Sequence, residues 1–321
     1  MKKATKILLI TALALLLVGG AAFTLLLAGC GWDLAALSGG ELETHEYEIT
    51  DRFDDIKILA DTADIRFLPS EDGTCRVVTR DDRGITHAAS VEDGCLTVRH
   101  RDERPWYEHI TLFGLWDNEV TVYLPAGEYA SLTVETSTSD VAIPRDFTFG
   151  SLSLTLSTGD ITASASVTGE ARFTASTGDI TLAGLSAGTL TLAVSTGDIT
   201  LTDVACDGRL TVNVTTGDIR MSSVRMGSLT TKGSTGDIRM TDTVAEGTLS
   251  LERSTGDITL DGCDAAEVFI RTTTGDVSGR FLTDKVFLVE TSSGDREVPR
   301  GIIGGRCEII TSSGDIYFRE P

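Results

Sequence analysis

An aspartate closes a Ser/Thr-Ser/Thr-Gly-Asp tetrapeptide nine times, at Asp160, Asp179, Asp198, Asp218, Asp237, Asp257, Asp276, Asp295 and Asp315, always 19 or 20 residues after the one before. Carboxylates at a fixed interval could hold hard cations between repeats. If successive repeats stack ~4.8 Å apart, neighbouring charges repel by about 1 kcal/mol per pair in water, and calcium would relieve that. A calcium site, however, asks for about six to eight oxygens, and one carboxylate plus hydroxyls per repeat is a thin supply. The Gly-Gly-x-Gly-x-Asp nonapeptide of calcium-bound β-rolls is also missing. The favoured role for these aspartates is therefore to accept hydrogen bonds from turn amides, with calcium at the same nine positions as the alternative and no other cofactor expected. The preceding glycines, Gly159, Gly178, Gly197, Gly217, Gly236, Gly256, Gly275, Gly294 and Gly314, would supply the positive φ of a tight corner.

Other reactive side chains are sparse. The four histidines, His45, His87, His100 and His109, show no metal-ligand spacing, and solvated or cap-forming roles are expected of them. No GxSxG, HExxH, P-loop or dinucleotide fingerprint occurs. The segment Arg101 to His109, followed by Trp116, mixes charges and aromatics. It is read as an end cap, or as a loop contacting a sugar or a partner. Of the six cysteines, Cys206, Cys263 and Cys307 are read as buried thiols and Cys75–Cys95 as a candidate disulfide. A carbohydrate-active β-helix enzyme is a further alternative. Such an enzyme clusters its carboxylates in a groove, whereas here the acids are spread evenly, so no catalytic residue is expected.

The elements that would position the aspartates follow from the same frame. One residue after each aspartate stand Ile161, Ile180, Ile199, Ile219, Ile238, Ile258, Val277 and Ile316, with Arg296 out of line. Further apolar columns stand three after, six before and eight before, with Gly279 and Thr231 as breaks. Thr, Ser, Arg and Glu lie between them. This period-two alternation on both sides of a glycine corner predicts two short strands per repeat, each burying one face. No single repeat can bury its face, so the repeats must stack, which makes the fold all-β: a parallel β-helix (β-solenoid) with 19–20-residue coils. Asp140 and Asp64 carry the same frame without the glycine, and Asp64 lies 76 residues before Asp140. Residues 71–125 are read as irregular coils or inserted hairpins closing one end, and Arg319, Glu320 and Pro321 as the closure of the other.

At the N-terminus, residues 7–28 are almost continuously apolar and follow Lys2, Lys3 and Lys6. The run is long enough to span a bilayer with the lysines held inside. An uncleaved signal-anchor helix is the favoured reading. The lipobox-like Leu27-Ala28-Gly29-Cys30 supports the alternative of a lipoprotein anchored at Cys30. Either way the rest of the chain is expected outside the membrane. The organisation expected is 1–30 anchor or signal peptide, 31–45 linker, 46–130 irregular coils and cap, and 131–321 regular solenoid. The formal charge is −21, and beyond residue 30 there are 24 bases against 48 acids. Nucleic acid is excluded as a partner because nothing neutralises phosphate. The membrane, through the helix, and an unidentified surface ligand, glycan or envelope protein are the expected partners.

The segment Thr62-Ala63-Asp64-Ile65-Arg66-Phe67-Leu68-Pro69-Ser70-Glu71-Asp72-Gly73, the run of Ser-Thr-Gly-Asp-Ile coils and the apolar N-terminus together resemble the bacterial putative-adhesin family, a group with a domain of unknown function. The resemblance covers residues 45–318. It implies a β-solenoid displayed at the envelope of a Gram-positive-type bacterium, with no catalytic residues to carry over. It also implies two non-enzymatic roles, adhesion first and an envelope-stress sensor or accessory second. Cys30 in its lipobox-like context departs from the family pattern.

Overall fold

A computed structural model describes residues 3–29, 42–82, 85–102 and 118–321. Cys30, most of the 31–45 linker, His109 and the aromatic part of the 101–116 segment lie outside the described residues. A helix, Lys3–Gly29, precedes an all-β body, and its stretch Ile10–Gly29 is long and apolar enough to cross a membrane. Among the described residues the body forms two sheets of 14 strands each. It is a β-solenoid, as the alternation predicts.

One layer shows how the sequence builds the rest. Ser186–Thr196 lies in one sheet and Ile199–Thr202 in the other. Parallel pairing sets Leu192 between Phe173 and Val212, and Ile199 between Ile180 and Ile219. Each apolar column thereby becomes a buried ladder running through the shaft. The difference between 19 and 20 residues is absorbed locally. Ala187 pairs with Cys206 but Leu190 pairs with Leu210, so the longer coil carries one extra residue as a bulge. The column breaks have separate outcomes: Thr231 still faces inward and is buried, Gly279 is half-buried, and Arg296 is exposed in the outermost layer.

Stacking order departs from chain order at both ends. Asp64–Pro69 lies directly under Val141–Ile143, as the shared frame predicts. The chain then turns back, and Glu119–Leu124 pairs in parallel on the outer side of Asp64–Pro69. Beyond it Cys75–Asp82 and Leu42–Ile49 run antiparallel, and Ile85–Glu92 runs antiparallel to Cys95–Asp102. At the other end, Gly305–Ser313 sits between Glu267–Arg271 and Lys285–Ser293. Ile316–Arg319 likewise sits between Val277–Phe281 and Arg296–Glu297. The last coil in sequence is thus the last but one in space. This corrects the expectation that Arg319, Glu320 and Pro321 close that end: the outer layer is residues 285–297, because the chain skips a level and returns to fill it.

Candidate functional site

All nine tetrapeptide aspartates fall in one column down one edge of the solenoid, with Asp64 and Asp140 continuing it. Their spacing is explained by backbone accounting. At each corner the glycine and the residue after the aspartate donate toward one neighbouring layer: Gly197 N–H to Thr216 O (3.0 Å) and Ile199 N–H to Asp218 O (2.9 Å). The aspartate N–H between them points the other way and has no carbonyl to meet. The carboxylate of the neighbouring layer takes it: Asp198 N–H donates to Asp179 Oδ1 at 2.7 Å, and Asp218 N–H to Asp198 Oδ1 at 2.8 Å. The same bond runs from Asp140 to Asp64, from Asp315 to Asp276 and from Asp295 to Asp315. A buried or half-buried amide without a partner costs about 1–3 kcal/mol, so the aspartate is a structural acceptor repeated once per layer. Gly197 has φ 142°, and a Cβ there would lie 2.1 Å from Gly178 O. Two independent constraints therefore demand glycine.

The ladder leaves one carboxylate oxygen per layer facing outward. At one level the protein supplies its own cation: Arg220 reaches Asp198 Oδ2 and Asp218 Oδ2, each at 2.7 Å. The Asp218 amide and the Arg220 guanidinium hold the Asp198 carboxyl below the usual carboxylate range. Among the described residues no group of three or more His, Cys, Asp or Glu side chains is placed to hold a metal ion.

Cys75 and Cys95 are free thiols on strands of different sheets. That corrects the candidate disulfide. Burial pushes the thiols of Cys75 and Cys307 up to about 12 and that of Cys263 up to about 11, and it also raises Cys206. None of these four is poised as a nucleophile.

Three polar features inside the body escaped the sequence reading. The first is a fifth inward column, four residues before each aspartate, where Leu156, Ala175, Val194 and Val214 are buried. Arg253 occupies this column too. Its Nη1 donates to Val214 O (2.9 Å) and its Nη2 to Gly217 O (3.3 Å), reaching two layers down. Gly233, in the layer between, leaves it room, since a Cβ there would meet Nη1. Burial lowers the Arg253 pKa, against the pull of Asp218 and Asp237.

The second is a buried pair at the N-terminal end, where His87 Nδ1 lies 2.5 Å from Asp81. The His87 amide and the Thr79 hydroxyl also donate to that carboxylate, at 2.9 Å each. Burial opposes ionisation of Asp81, but these bonds outweigh it and hold the carboxyl below its ordinary value. Cys75–Asp82 and Ile85–Glu92 belong to different sheets, so the pair ties the sheets together. His100 packs on His87 with ring centroids 5.2 Å apart, and His45 lies on the edge strand Leu42–Ile49. Cap-forming, of the two roles expected for these histidines, is the one His87 fills.

The third is an ion pair of buried Lys285 with Asp264 near the opposite end. No motif signals any of the three, because each pairs residues from separate layers. A second glycine column, by contrast, is legible in the sequence. Gly150, Gly169, Gly188, Gly208, Gly227 and Gly247 each stand ten residues before an aspartate. A Cβ at Gly169 would lie 2.6 Å from Gly150 O.

Comparison with curated proteins finds no match. Among solved structures, a putative adhesin from Bacteroides fragilis shares 13% identity and a TM-score of 0.44, covering 87% of this chain and 97% of its own. A putative lipid binding protein from Parabacteroides distasonis shares 14% identity and a TM-score of 0.49, covering 87% and 98%. A putative adhesin from the same species shares 13% identity and a TM-score of 0.48, again covering 87% and 98%. The Toastrack DUF4097 family model matches residues 53–222 and 207–321, so the chain belongs to the Toastrack DUF4097 family, a family built on a domain of unknown function.

Proposed function

We propose that the protein is a non-enzymatic surface protein, held at the cell membrane by its N-terminal helix, whose solenoid displays repeated outward faces for binding in the manner of an adhesin. One observation carries this reading: the outward columns repeat once per layer along the shaft. Two residues after successive aspartates stand Thr162, Thr181, Thr200, Arg220, Arg239 and Thr259, on strands whose alternate residues are buried. With ~4.8 Å per layer, the eleven levels of the aspartate column make a rod of roughly 50 Å. A ligand with its own repeat, such as a glycan or an envelope polymer, could register against such a face.

The apolar span Ile10–Gly29 supports a single-pass anchor with the solenoid outside, and lipidation at Cys30 is the alternative means of attachment. No metal is needed for this role, since the aspartates already act within the corners. A glycan and whole-cell binding screen with the purified protein, together with attachment assays on a deletion strain, tests the proposal. Saturable binding and reduced attachment are expected. Absence of both would reject the reading, and release of sugar products would point to an enzyme instead.

A further inference from the structure

The buried pair of Lys285 and Asp264 joins layers that are not neighbours. Lys285 opens the outermost layer and pairs with Gly305 in the layer beneath. Asp264 lies a level further in, just ahead of Glu267–Arg271, and bridges to Val244. The lysine side chain, 3% exposed, therefore passes the level of Gly305, which has no side chain of its own, to reach the carboxylate. Lysine is rarely buried this deeply, and taking two charges out of water is costly. A product of the same two groups that carries no charge is favoured in such a place.

The surroundings suit a condensation. Lys285 Nζ is in direct contact with Asp264 Oδ1 and donates to Thr283 Oγ1 at 2.8 Å. Thr283 Oγ1 in turn donates to the same Asp264 Oδ1 at 3.1 Å, so one hydroxyl connects the amine to the carboxyl oxygen. The Ala265 N–H also donates to Oδ1, at 2.8 Å, and fixes how the carboxyl group is turned. The Phe281 ring lies 5.6 Å from Nζ, and Phe281, Cys263 and Ala265 are all buried. Holding two reactants together in this way replaces a bimolecular encounter with a unimolecular step.

We propose that Lys285 and Asp264 condense into an amide, a covalent cross-link between the outermost layer and the body of the solenoid. Proton transfer across their contact gives a free amine and a carboxylic acid protonated at Oδ1. The amine lone pair attacks Asp264 Cγ and forms the Nζ–Cγ bond. Thr283 Oγ1 takes a proton from Nζ as it delivers its own to Oδ1. The Cγ–Oδ1 bond then breaks and Oδ1 leaves as water, carrying two of the three ammonium protons. Nζ keeps the third as the amide N–H, and no other reactant is consumed. The Asp264 side chain is 16% exposed, which gives the water a way out. The link fixes the start of the outer layer and leaves its exposed corner at Gly294 free. It does not depend on what, if anything, the shaft binds.

Peptide mapping of the purified full-length protein tests it. Trypsin acting on denatured protein should release one branched peptide that joins Ser254–Arg271 to Phe281–Arg296, with Lys285 uncut and the mass short by one water. Lys285→Met and Asp264→Ala should each abolish the branch. Thr283→Val, at an exposed position, should slow its appearance after synthesis by about tenfold or more, because the proton path is removed. Separate Phe281–Lys285, Val286–Arg296 and Ser254–Arg271 peptides in full yield from wild type would overturn the proposal, whether or not any variant folds. A branch that survives Lys285→Met or Asp264→Ala would do the same, and a wild-type rate in Thr283→Val would overturn the route through the hydroxyl.

Discussion

The shaft and the ends of this solenoid are built from the same coil, yet only the shaft stacks in the order of the chain. From Asp160 to Asp276 each aspartate amide donates to the carboxylate of the coil before it in sequence. At the far end the donor from Asp315 skips back 39 residues to Asp276, and Asp295 then stacks on Asp315. The spacing of 20 residues between these two aspartates is ordinary. What differs is that every coil offers the same upper and lower edge, so a coil can dock at any free level. The corner bond makes stacking strong but non-selective, and the connections choose the level. At residues 298–304 the choice is visible: Gly304 has φ 126°, and a Cβ there would lie 1.9 Å from Asp284 O. The return path passes that close to the start of the outer layer.

The sharpest way to break the comparison is one substitution made in both regions. Gly197→Ala in the shaft should cost more than about 3 kcal/mol, because it adds a positive-φ penalty to a clash with a carbonyl held on both sides. Gly294→Ala in the outer layer meets Gly314 O in the same way but should cost clearly less, since the outer layer can lift away. Chemical denaturation of the two variants measures the gap, and equal costs would mean that the end is as tightly held as the shaft.

Next in size, Arg253→Ala should destabilise the shaft by about 2–4 kcal/mol, through the cavity it leaves and the unpaired Val214 carbonyl. Thermal unfolding reads this, and an unchanged midpoint would show that the buried guanidinium contributes nothing net. Asp198→Ala, which orphans the Asp218 amide, should cost about 1–2 kcal/mol. Asp198→Asn, which keeps an oxygen acceptor and loses only charge, should cost less, and the reverse ranking would assign the aspartate to charge rather than to hydrogen bonding.

Acid provides a gentler test of the same bond. The folded-state pKa of Asp198 lies below the ordinary carboxylate value. Its contribution is therefore present above the unfolded value and lost as pH falls through the folded one. Stability should decline below the usual carboxylate range, and Asp198→Asn should flatten part of that decline. The smallest effect concerns the thiols. Cys263 and Cys307, buried with pKa values pushed up to about 11 and 12, should resist alkylation in the native protein at neutral pH and react only on unfolding. Rapid native labelling of either would mean that the layers around it open readily.

Much of the fold was legible because a β-solenoid writes itself in columns. Ile161 through Ile258 share one position relative to their aspartates, and a period of two leaves them a single face to occupy. The corner glycines were readable for the same reason. Arg253 was not, because its partners Val214 and Gly217 stand 39 and 36 residues earlier. The Asp81–His87 pair was hidden as well, since it joins two strands that a sequence pattern assigns to one irregular cap.

By itself, then, the amino-acid sequence determined the coil: its length, which residues face inward, where it turns and what the corner requires, since all of these depend on contacts repeated at one fixed spacing. Tertiary structure alone decided the order of the layers at the ends, the route of the buried arginine and the antiparallel strands laid over the N-terminal end. Identical edges make every level chemically equivalent, so only the path of the connecting segments in space tells one from another.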